Sequence, residues 1–139
     1  MRLVITGASR GLGLVAVEHF KKSHEVLRMS QSEPHIGIGL NYPHWDEVGA
    51  VIHTAGGGMG LRHPILQAGE LYKLFRLNLG NAVEVNRMVL PHMKEKRRGN
   101  VVHVCSIASG EAIGSVGYNT VKTALAGYVR SLGREMAPY

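Results

Sequence analysis

Short apolar runs alternate with segments of helical periodicity along most of the chain. Runs that are continuously apolar and end in glycine or polar residues predict buried strands at residues 3–6, 25–29, 35–40, 49–54 and 100–105. Apolar residues spaced three and four apart predict helices after the first strand, over residues 67–96 and over about residues 118–135. The helix over 67–96 is predicted to be the longest, with Pro91 bending its last turns.

The same periodicity predicts which helical residues face inward. In the first helix the inward set is Leu12, Val15, Ala16 and Phe20. In the long helix it is Leu71, Leu74, Phe75, Val85, Met88 and Val89, and in the last helix Val121, Leu125, Val129 and Leu132.

Alternation of buried strands with helices indicates an α/β protein, because parallel strands need crossover helices that cover the sheet. The predicted architecture is a Rossmann-type, doubly wound parallel sheet with helices on both faces. Numbered along the sequence, the five strands are expected in the order 3-2-1-4-5, with ligands at their carboxyl ends. We expect a single domain over residues 1–139.

Composition narrows the class of protein. The chain is 45% hydrophobic and 19% charged, and no apolar stretch is long enough to span a bilayer. The first strand begins almost at the N-terminus and there is one cysteine, so we expect a cytoplasmic protein without a signal peptide. The net charge of +6 includes a basic run at residues 94–98, which we interpret as a solvated helix end rather than a nucleic-acid surface. We therefore expect neither a nucleic-acid nor a membrane partner.

Glycines are concentrated where the first strand leads into the first helix. The turn reads Thr6-Gly7-Ala8-Ser9-Arg10-Gly11-Leu12-Gly13. Residues without a Cβ allow a tight bend there and let a pyrophosphate approach the helix N-terminus, where unpaired N–H groups favour an anion. A dinucleotide is therefore predicted to bind at Gly7, Ser9, Arg10, Gly11, Leu12 and Gly13, with no metal.

The residues after the second strand bear on the choice of dinucleotide. An acidic side chain there would bind the ribose hydroxyls of NAD, but the sequence reads Arg28-Met29-Ser30-Gln31-Ser32. A 2′-phosphate would meet Arg10, with Ser30 and Gln31 as hydrogen-bonding partners. We predict a preference for NADP(H), with NAD(H) possible; the alternative is that Arg10 and Arg28 are ordinary surface cations.

Tyr118 and Lys122 are four residues apart on a predicted helix, so their side chains project from one face. An ammonium near a phenol stabilises the phenolate, which suits Tyr118 to act as a general acid or base. Ser106 follows the last predicted strand and can hold a substrate carbonyl in the site that Tyr118 protonates. The alternative for Ser106 is a turn or helix-cap serine.

Taken together, these segments resemble the short-chain dehydrogenase/reductase family. The matching features, in the family's usual order, are the glycine turn, Thr54-Ala55-Gly56, Asn78, Ser106 and the run from Tyr118 to Lys122. The three-residue gap between Gly7 and Gly11 is typical of the family's compact, single-domain branch.

This resemblance implies further roles. Ala55 and Gly56 would contact the cofactor, Tyr118 and Lys122 would contact it beside the reacting groups, and Asn78 would support a proton-relaying water. The substrate would be a small carbonyl compound or secondary alcohol. The two long helices resemble the pair through which family members form homodimers or homotetramers. Similar proteins continue past residue 139, so the family's last strands are expected to be missing here.

Other functions stay open on the sequence alone. A dinucleotide-binding sensor or scaffold without turnover is one alternative, and a nucleotide-sugar epimerase or dehydratase is a lesser one. His53 and His103 end neighbouring predicted strands and are expected to be core or rim residues, because nothing near them completes a metal-ligand spacing.

Overall fold

Four strands and four α-helices make up the part of the chain that the computed structural model describes, residues 1–30 and 44–139. In chain order they are β1 (Arg2–Thr6), α1 (Gly11–Phe20), β2 (Glu25–Met29), β3 (Val48–His53), α2 (Ala68–Phe75), α3 (Asn81–Glu95), β4 (Asn100–His103) and α4 (Val116–Met136). Single 3-10 turns lie at Trp45–Glu47 and Ile107–Ser109. The strand predicted at 35–40 and the predicted cofactor residue Gln31 lie outside the described residues.

The chain divides into two compact units. The sheet unit comprises the described residues of Met1–Ala55 and Ala82–Val104, together with Tyr139. The helix unit comprises Gly56–Asn81 and Cys105–Pro138. The expectation of one domain over residues 1–139 stays a prediction.

All four described strands belong to the sheet unit and pair in parallel in the order β2-β1-β3-β4. This arrangement matches positions 2-1-4-5 of the predicted order. The predicted third strand falls outside the described residues, so the complete order 3-2-1-4-5 stays a prediction. The central strand β1 is buried from Leu3 to Thr6, as expected of a parallel strand covered on both faces.

Successive residues of β1 point to opposite faces of the sheet, and each face has its own helix. Val4 packs in a cluster with Val85 and Val89 of α3. Its neighbour Ile5 packs in a second cluster with Val17 of α1. The doubly wound parallel sheet that the sequence predicts is therefore confirmed, with helices on both faces.

The inner face of α1 differs from its prediction. Leu12 and Val15 are 59% and 65% exposed, whereas Gly13 and Val17 are buried. The observed inner set, with Ala16 and Phe20 partly buried beside Val17, is still spaced by three and four. The prediction was wrong for Leu12 and Val15, because it assigned bulky apolar residues to the inner face. The tightly packed position on this face is occupied by Gly13.

The segment predicted as one long helix has a π-helical turn at Arg76–Gly80, between α2 and α3. Leu74 is buried as predicted, but Phe75 is 44% exposed. The longest α-helix is α4, with 21 residues. Apolar periodicity does not reveal the π turn, because one extra residue in a turn leaves the side chains on both sides helically spaced.

The strand predicted at 100–105 ends at His103. It lies at one edge of the described sheet, and Val102 is 52% exposed there. None of the helices in the two described ranges combines the length and apolarity that crossing a bilayer requires.

In the helix unit, α2 packs on the start of α4. Gly117 makes the close approach possible, because a Cβ at this position would lie 2.5 Å from Leu74 Cδ1 and 2.8 Å from Leu66 Cδ1. Val121 and Leu125 continue the buried stripe of α4. At the N-terminus of α2, Gln67 and Glu70 form a capping box, in which each side chain accepts from the backbone N–H of the other residue.

A buried imidazole, His53, stacks on a half-buried one, His103, at the carboxyl ends of β3 and β4. The ring centroids of His53 and His103 are 4.4 Å apart. Burial, joined by the neighbouring His103, lowers the pKa of His53 from 6.5 to about 4, and burial lowers the pKa of His103 to about 4. Both rings are therefore neutral in the folded protein at neutral pH.

The stability of the fold is expected to fall as the pH drops from about 6.5 to about 4. In this window the unfolded chain takes up protons on both histidines while the folded protein does not, so protonation favours unfolding. The pKa shift of His53 alone corresponds to about 3 kcal/mol. Urea unfolding at pH 7.5 and pH 4.5 measures the loss. The substitution His53→Gln should reduce this pH dependence, and an equally steep loss in that variant would contradict the assignment.

Candidate active site

The glycine turn in the sheet unit has the geometry that a close backbone approach requires. Gly7 has φ of 68°, and a Cβ there would lie 2.6 Å from Ala55 N. Gly13 packs on the Gly7 carbonyl and on Thr54 Oγ1, so it also has no room for a side chain. Thr54 Oγ1 in turn donates to Thr6 O at 2.6 Å. The end of β3 therefore fixes both sides of the bend.

The N-terminus of α1 is suited to an anion. Gly11, the first residue of the helix, has φ of 55° and nothing within 4 Å of where its Cβ would be. Arg10 stands at the cap position without a side-chain capping bond, and the first turn has no acidic residue. The N–H groups of the first turn and the helix dipole thus meet no carboxylate of their own. A dinucleotide pyrophosphate fits this site.

The other predicted cofactor residues of the sheet unit lie around this turn. Ser9, Arg10 and Leu12 are exposed, and Ser30 is buried where β2 ends. Arg28 is closer to the turn than the sequence suggested, since its Nη2 donates to Ala8 O at 3.4 Å. A guanidinium on β2 therefore contacts the turn directly.

Lys122 is buried in the helix unit, with 4% of its surface exposed. Its Nζ lies 5.7 Å from the centroid of the Tyr118 ring, one helical turn earlier on α4. A buried lysine is rare, because an ammonium loses its hydration on burial. The spacing predicted from the sequence therefore does bring the ammonium close to the tyrosine.

Asn78 is also buried and lies in the π turn. Its amide bonds the backbone of Gly57 twice, accepting from the N–H at 3.0 Å and donating to the carbonyl at 2.9 Å. It donates as well to Leu74 O at 2.9 Å. A Cβ on Gly56 would lie 2.8 Å from Asn78 Oδ1 and 3.1 Å from Lys122 Nζ. Asn78, Gly56 and Lys122 are therefore in immediate proximity.

Ser106 begins the 3-10 turn, and its Oγ accepts from Ala108 N at 3.1 Å. It is therefore a cap serine, as the alternative interpretation held, but accepting this bond leaves its hydroxyl hydrogen able to donate. Ser109 bonds the Ser106 carbonyl through its hydroxyl at 2.6 Å, and its own carbonyl accepts from Thr123 Oγ1 at 3.1 Å. The Ser106 turn is thus tied to α4 one residue beyond Lys122.

All four predicted catalytic residues, Asn78, Ser106, Tyr118 and Lys122, belong to the helix unit, whereas the glycine turn belongs to the sheet unit. The prediction that the glycine turn binds the same cofactor that Tyr118 and Lys122 contact stays a prediction. Sequence reasoning missed two positioning contributions, the backbone of Gly57 and the hydroxyl of Thr123. Neither has a signal in the sequence, since one is a main-chain group and the other a common helix residue.

Comparison with known proteins identifies the family. A family model described as short chain dehydrogenase matches residues 42–139, more than half of the chain. The chain belongs to the short-chain dehydrogenase family. Over 99% of its length it is 23% identical to a 3-ketodihydrosphingosine reductase of Bacteroides thetaiotaomicron, covering 59% of that protein.

Solved structures agree on the fold. An oxidoreductase of the short chain dehydrogenase/reductase family from Burkholderia thailandensis superposes with a TM-score of 0.83 at 21% identity, over 99% of this chain and 63% of that one. A 4-hydroxyisoleucine dehydrogenase complexed with NADH gives 0.85 at 20% identity, over 99% and 70%. The chain thus spans roughly three-fifths of the length of its reductase relative.

Replacing Gly56 with alanine should destabilise the helix unit by about 1–3 kcal/mol, because the new methyl group displaces the Asn78 amide from its buried bonds or moves the Lys122 ammonium. Gly127→Ala is the matched control, since nothing lies within 4 Å of a Cβ there and alanine favours a helix by about 1 kcal/mol. Urea unfolding of both variants gives the comparison. Equal stability of Gly56→Ala and the unaltered protein would refute the packing described.

Proposed function

We propose that the protein is an NADP(H)-dependent oxidoreductase that interconverts a carbonyl compound and the corresponding secondary alcohol. In the direction of reduction, the carbonyl carbon gains a hydride and its oxygen gains a proton. The reduced nicotinamide supplies the hydride when it is bound. The chain's own residues have to bind the dinucleotide, hold the carbonyl and deliver the proton.

The burial of Lys122 against Tyr118 carries this proposal. Burial of an ammonium costs free energy because the charge loses its hydration. Lys122 Nζ is buried and lies 5.7 Å from the ring centroid of Tyr118, the residue proposed as proton donor. Positive charge near the phenol stabilises the phenolate that remains after Tyr118 Oη has given its proton to the substrate oxygen. In oxidation the same phenolate accepts the alcohol proton.

Ser106 is proposed to hold the substrate oxygen. Its Oγ already accepts from Ala108 N, so its hydrogen is the group left to donate to a carbonyl. The bonds from Ser109 and Thr123 fix the turn relative to α4, on which Tyr118 lies. A fixed donor aimed at the developing negative charge lowers the barrier without reorganisation during the reaction.

Asn78 is proposed to support proton supply to Lys122. Its amide holds Gly57 by two bonds and lies beside the same Gly56 that adjoins Lys122 Nζ. This contact also favours a positioning role for Asn78. Its amide keeps the backbone of Gly56 close to the Lys122 ammonium and leaves no room for a side chain at residue 56. A water relaying protons through Lys122 completes the proposal.

The preference for NADP(H) is proposed from charge. Arg10 is exposed at the start of α1, Arg28 contacts the glycine turn, and β2 ends in Met29 and Ser30 without a carboxylate. A 2′-phosphate there would be neutralised by guanidinium groups, which bind phosphate bidentately. NAD(H) stays possible, and the 4-hydroxyisoleucine dehydrogenase neighbour was solved with NADH.

The proposed partners are a small carbonyl or alcohol substrate and further copies of the chain. The names of the two relatives above, a 3-keto compound reductase and a hydroxy compound dehydrogenase, both denote chemistry at an oxygen-bearing carbon. Tyr72 and Phe75, one turn apart on α2, are 73% and 44% exposed, which favours assembly as a homodimer or homotetramer through the long helices. A cytoplasmic location is proposed with it.

Replacing Tyr118 with phenylalanine should lower kcat by about two to four orders of magnitude while leaving NADPH affinity within about threefold. The reason is that the ring remains but the transferable proton is gone. NADPH consumption with a panel of ketones, and NADPH binding by fluorescence, measure the two effects. Tyr139→Phe is the matched control, since this tyrosine is 43% exposed and the ring that contacts Lys94 remains. NADPH binding without any turnover that depends on Tyr118 would instead support a sensor.

Replacing Arg10 with alanine should weaken NADPH binding roughly tenfold and change NADH binding little, because only NADPH presents a 2′-phosphate. Dissociation constants for both dinucleotides give the ratio. Lys22→Ala removes an exposed cation just past the other end of α1 and should leave the ratio unchanged. An equal loss for both dinucleotides in Arg10→Ala would rule out Arg10 as the 2′-phosphate partner.

A further inference from the structure

A series of polar contacts begins at Thr6, directly before the glycine turn, and lies wholly within the sheet unit. Thr6 Oγ1 lies 3.4 Å from Ala55 N and 3.4 Å from His53 Nδ1. On the far side of the imidazole, His53 Nε2 lies 2.9 Å from Asn86 Oδ1. Asn86 Nδ2 then lies 3.3 Å from His103 Nε2. These contacts link β1, β3, α3 and β4, and the proposed proton transfer uses none of them.

The donors and acceptors give this series of hydrogen bonds one direction. The Ala55 N–H donates to the Thr6 hydroxyl, which is then able to donate to His53 Nδ1. The Asn86 amide places its oxygen toward His53 and its nitrogen toward His103. In this orientation His53 carries its hydrogen on Nε2, which donates to Asn86 Oδ1, and the Asn86 amide donates to His103 Nε2. His103 then carries its hydrogen on Nδ1. The two rings must be opposite tautomers, and both must be neutral.

A proton on His103 Nε2 would face the Asn86 amide, so two donors would oppose each other. Turning the amide over would require His53 to carry its hydrogen on Nδ1 instead, donating to the Thr6 hydroxyl. Burial of both rings disfavours such a charge, in keeping with the lowered pKa of each histidine. In the observed orientation of the Asn86 amide, these contacts therefore require both rings to be neutral.

We propose that His53, Asn86 and His103 form a positioning network for the dinucleotide, fixing through Thr6 and Ala55 the backbone against which the glycine turn rests. The inference rests on the proposed function. Thr6 immediately precedes Gly7, and Ala55 N lies 2.6 Å from the place of a Gly7 Cβ. Loss of the His53 contact frees the Thr6 side chain, so the Ala55 N–H beside the bend that receives the pyrophosphate loses a fixed acceptor.

Three substitutions separate positioning from bulk packing. Asn86→Leu removes both inner contacts at nearly constant shape. His103→Phe keeps a stacked ring but removes the acceptor, while His103→Gln restores an acceptor at a similar distance from the backbone. Glu84→Gln, on the exposed face of the same helix α3, is the control.

We expect Asn86→Leu and His103→Phe to raise the Kd and KM for NADPH by about three- to thirtyfold, with kcat at saturating NADPH within twofold of the unaltered protein. His103→Gln should return both constants to near their original values. Unchanged NADPH affinity in Asn86→Leu would overturn the proposal while leaving the oxidoreductase function standing. If the unaltered protein binds neither NADPH nor NADH, the proposed function fails and this role fails with it.

A spectroscopic measurement on the unaltered protein does not depend on whether any variant folds. Long-range ¹H–¹⁵N correlation spectra at pH 7 should show His53 protonated on Nε2 and His103 on Nδ1, both neutral. Rings that carry their hydrogen on the same nitrogen, or a charged ring at this pH, would be incompatible with the network.

Discussion

The burial of the Lys122 ammonium is the constraint on which the helix unit depends. A charge removed from water is tolerated only where polar groups surround it, and the residues that enclose it are specialised accordingly. Gly56 lacks a side chain, so the amide of Asn78 can come close to the same position. Asn78 then satisfies two backbone groups of Gly57 that would otherwise be left without a bond.

A comparable constraint operates in the sheet unit, where backbone approaches backbone at the end of β1. Gly7 and Gly13 pack without side chains, and Thr54 bonds the carbonyl of Thr6 from the neighbouring strand. The first turn of α1 has no side-chain capping bond and no acidic residue. The proposed phosphate-binding site would therefore arise from the way the strand ends, and not from a cluster of charged side chains.

The four described strands and the doubly wound sheet could be predicted because short, continuously apolar runs between glycine turns are typical of strands buried on both faces. The face of α1 could not, because periodicity favours bulky residues and the tightest position holds Gly13. The π turn around Asn78 was missed for a related reason, since side-chain spacing persists through it. Asn78 can nevertheless be singled out in the sequence, because a polar residue in register with Leu71 and Leu74 is unusual.

For the site, residue types and spacing could be predicted, whereas the bonds that each group already makes could not. Ser106 illustrates the difference. The sequence shows a hydroxyl at this position, but only the structure shows that its oxygen accepts from Ala108 N and that its hydrogen is left to donate. The contact from Thr123 to Ser109 shows how the turn is held. Such main-chain contacts depend on the folded backbone and leave no pattern in the sequence.

Gly117 has a consequence for variation and engineering of this chain. Because this residue of α4 lies against Leu74 of α2 and against Leu66, a larger residue directly before Tyr118 must displace those leucine side chains. Natural variants are therefore expected to retain glycine there, even though it is a poor helix former. Libraries of variants intended to broaden substrate range should leave residue 117 unchanged and vary exposed residues such as Ile107 and Ile113 instead.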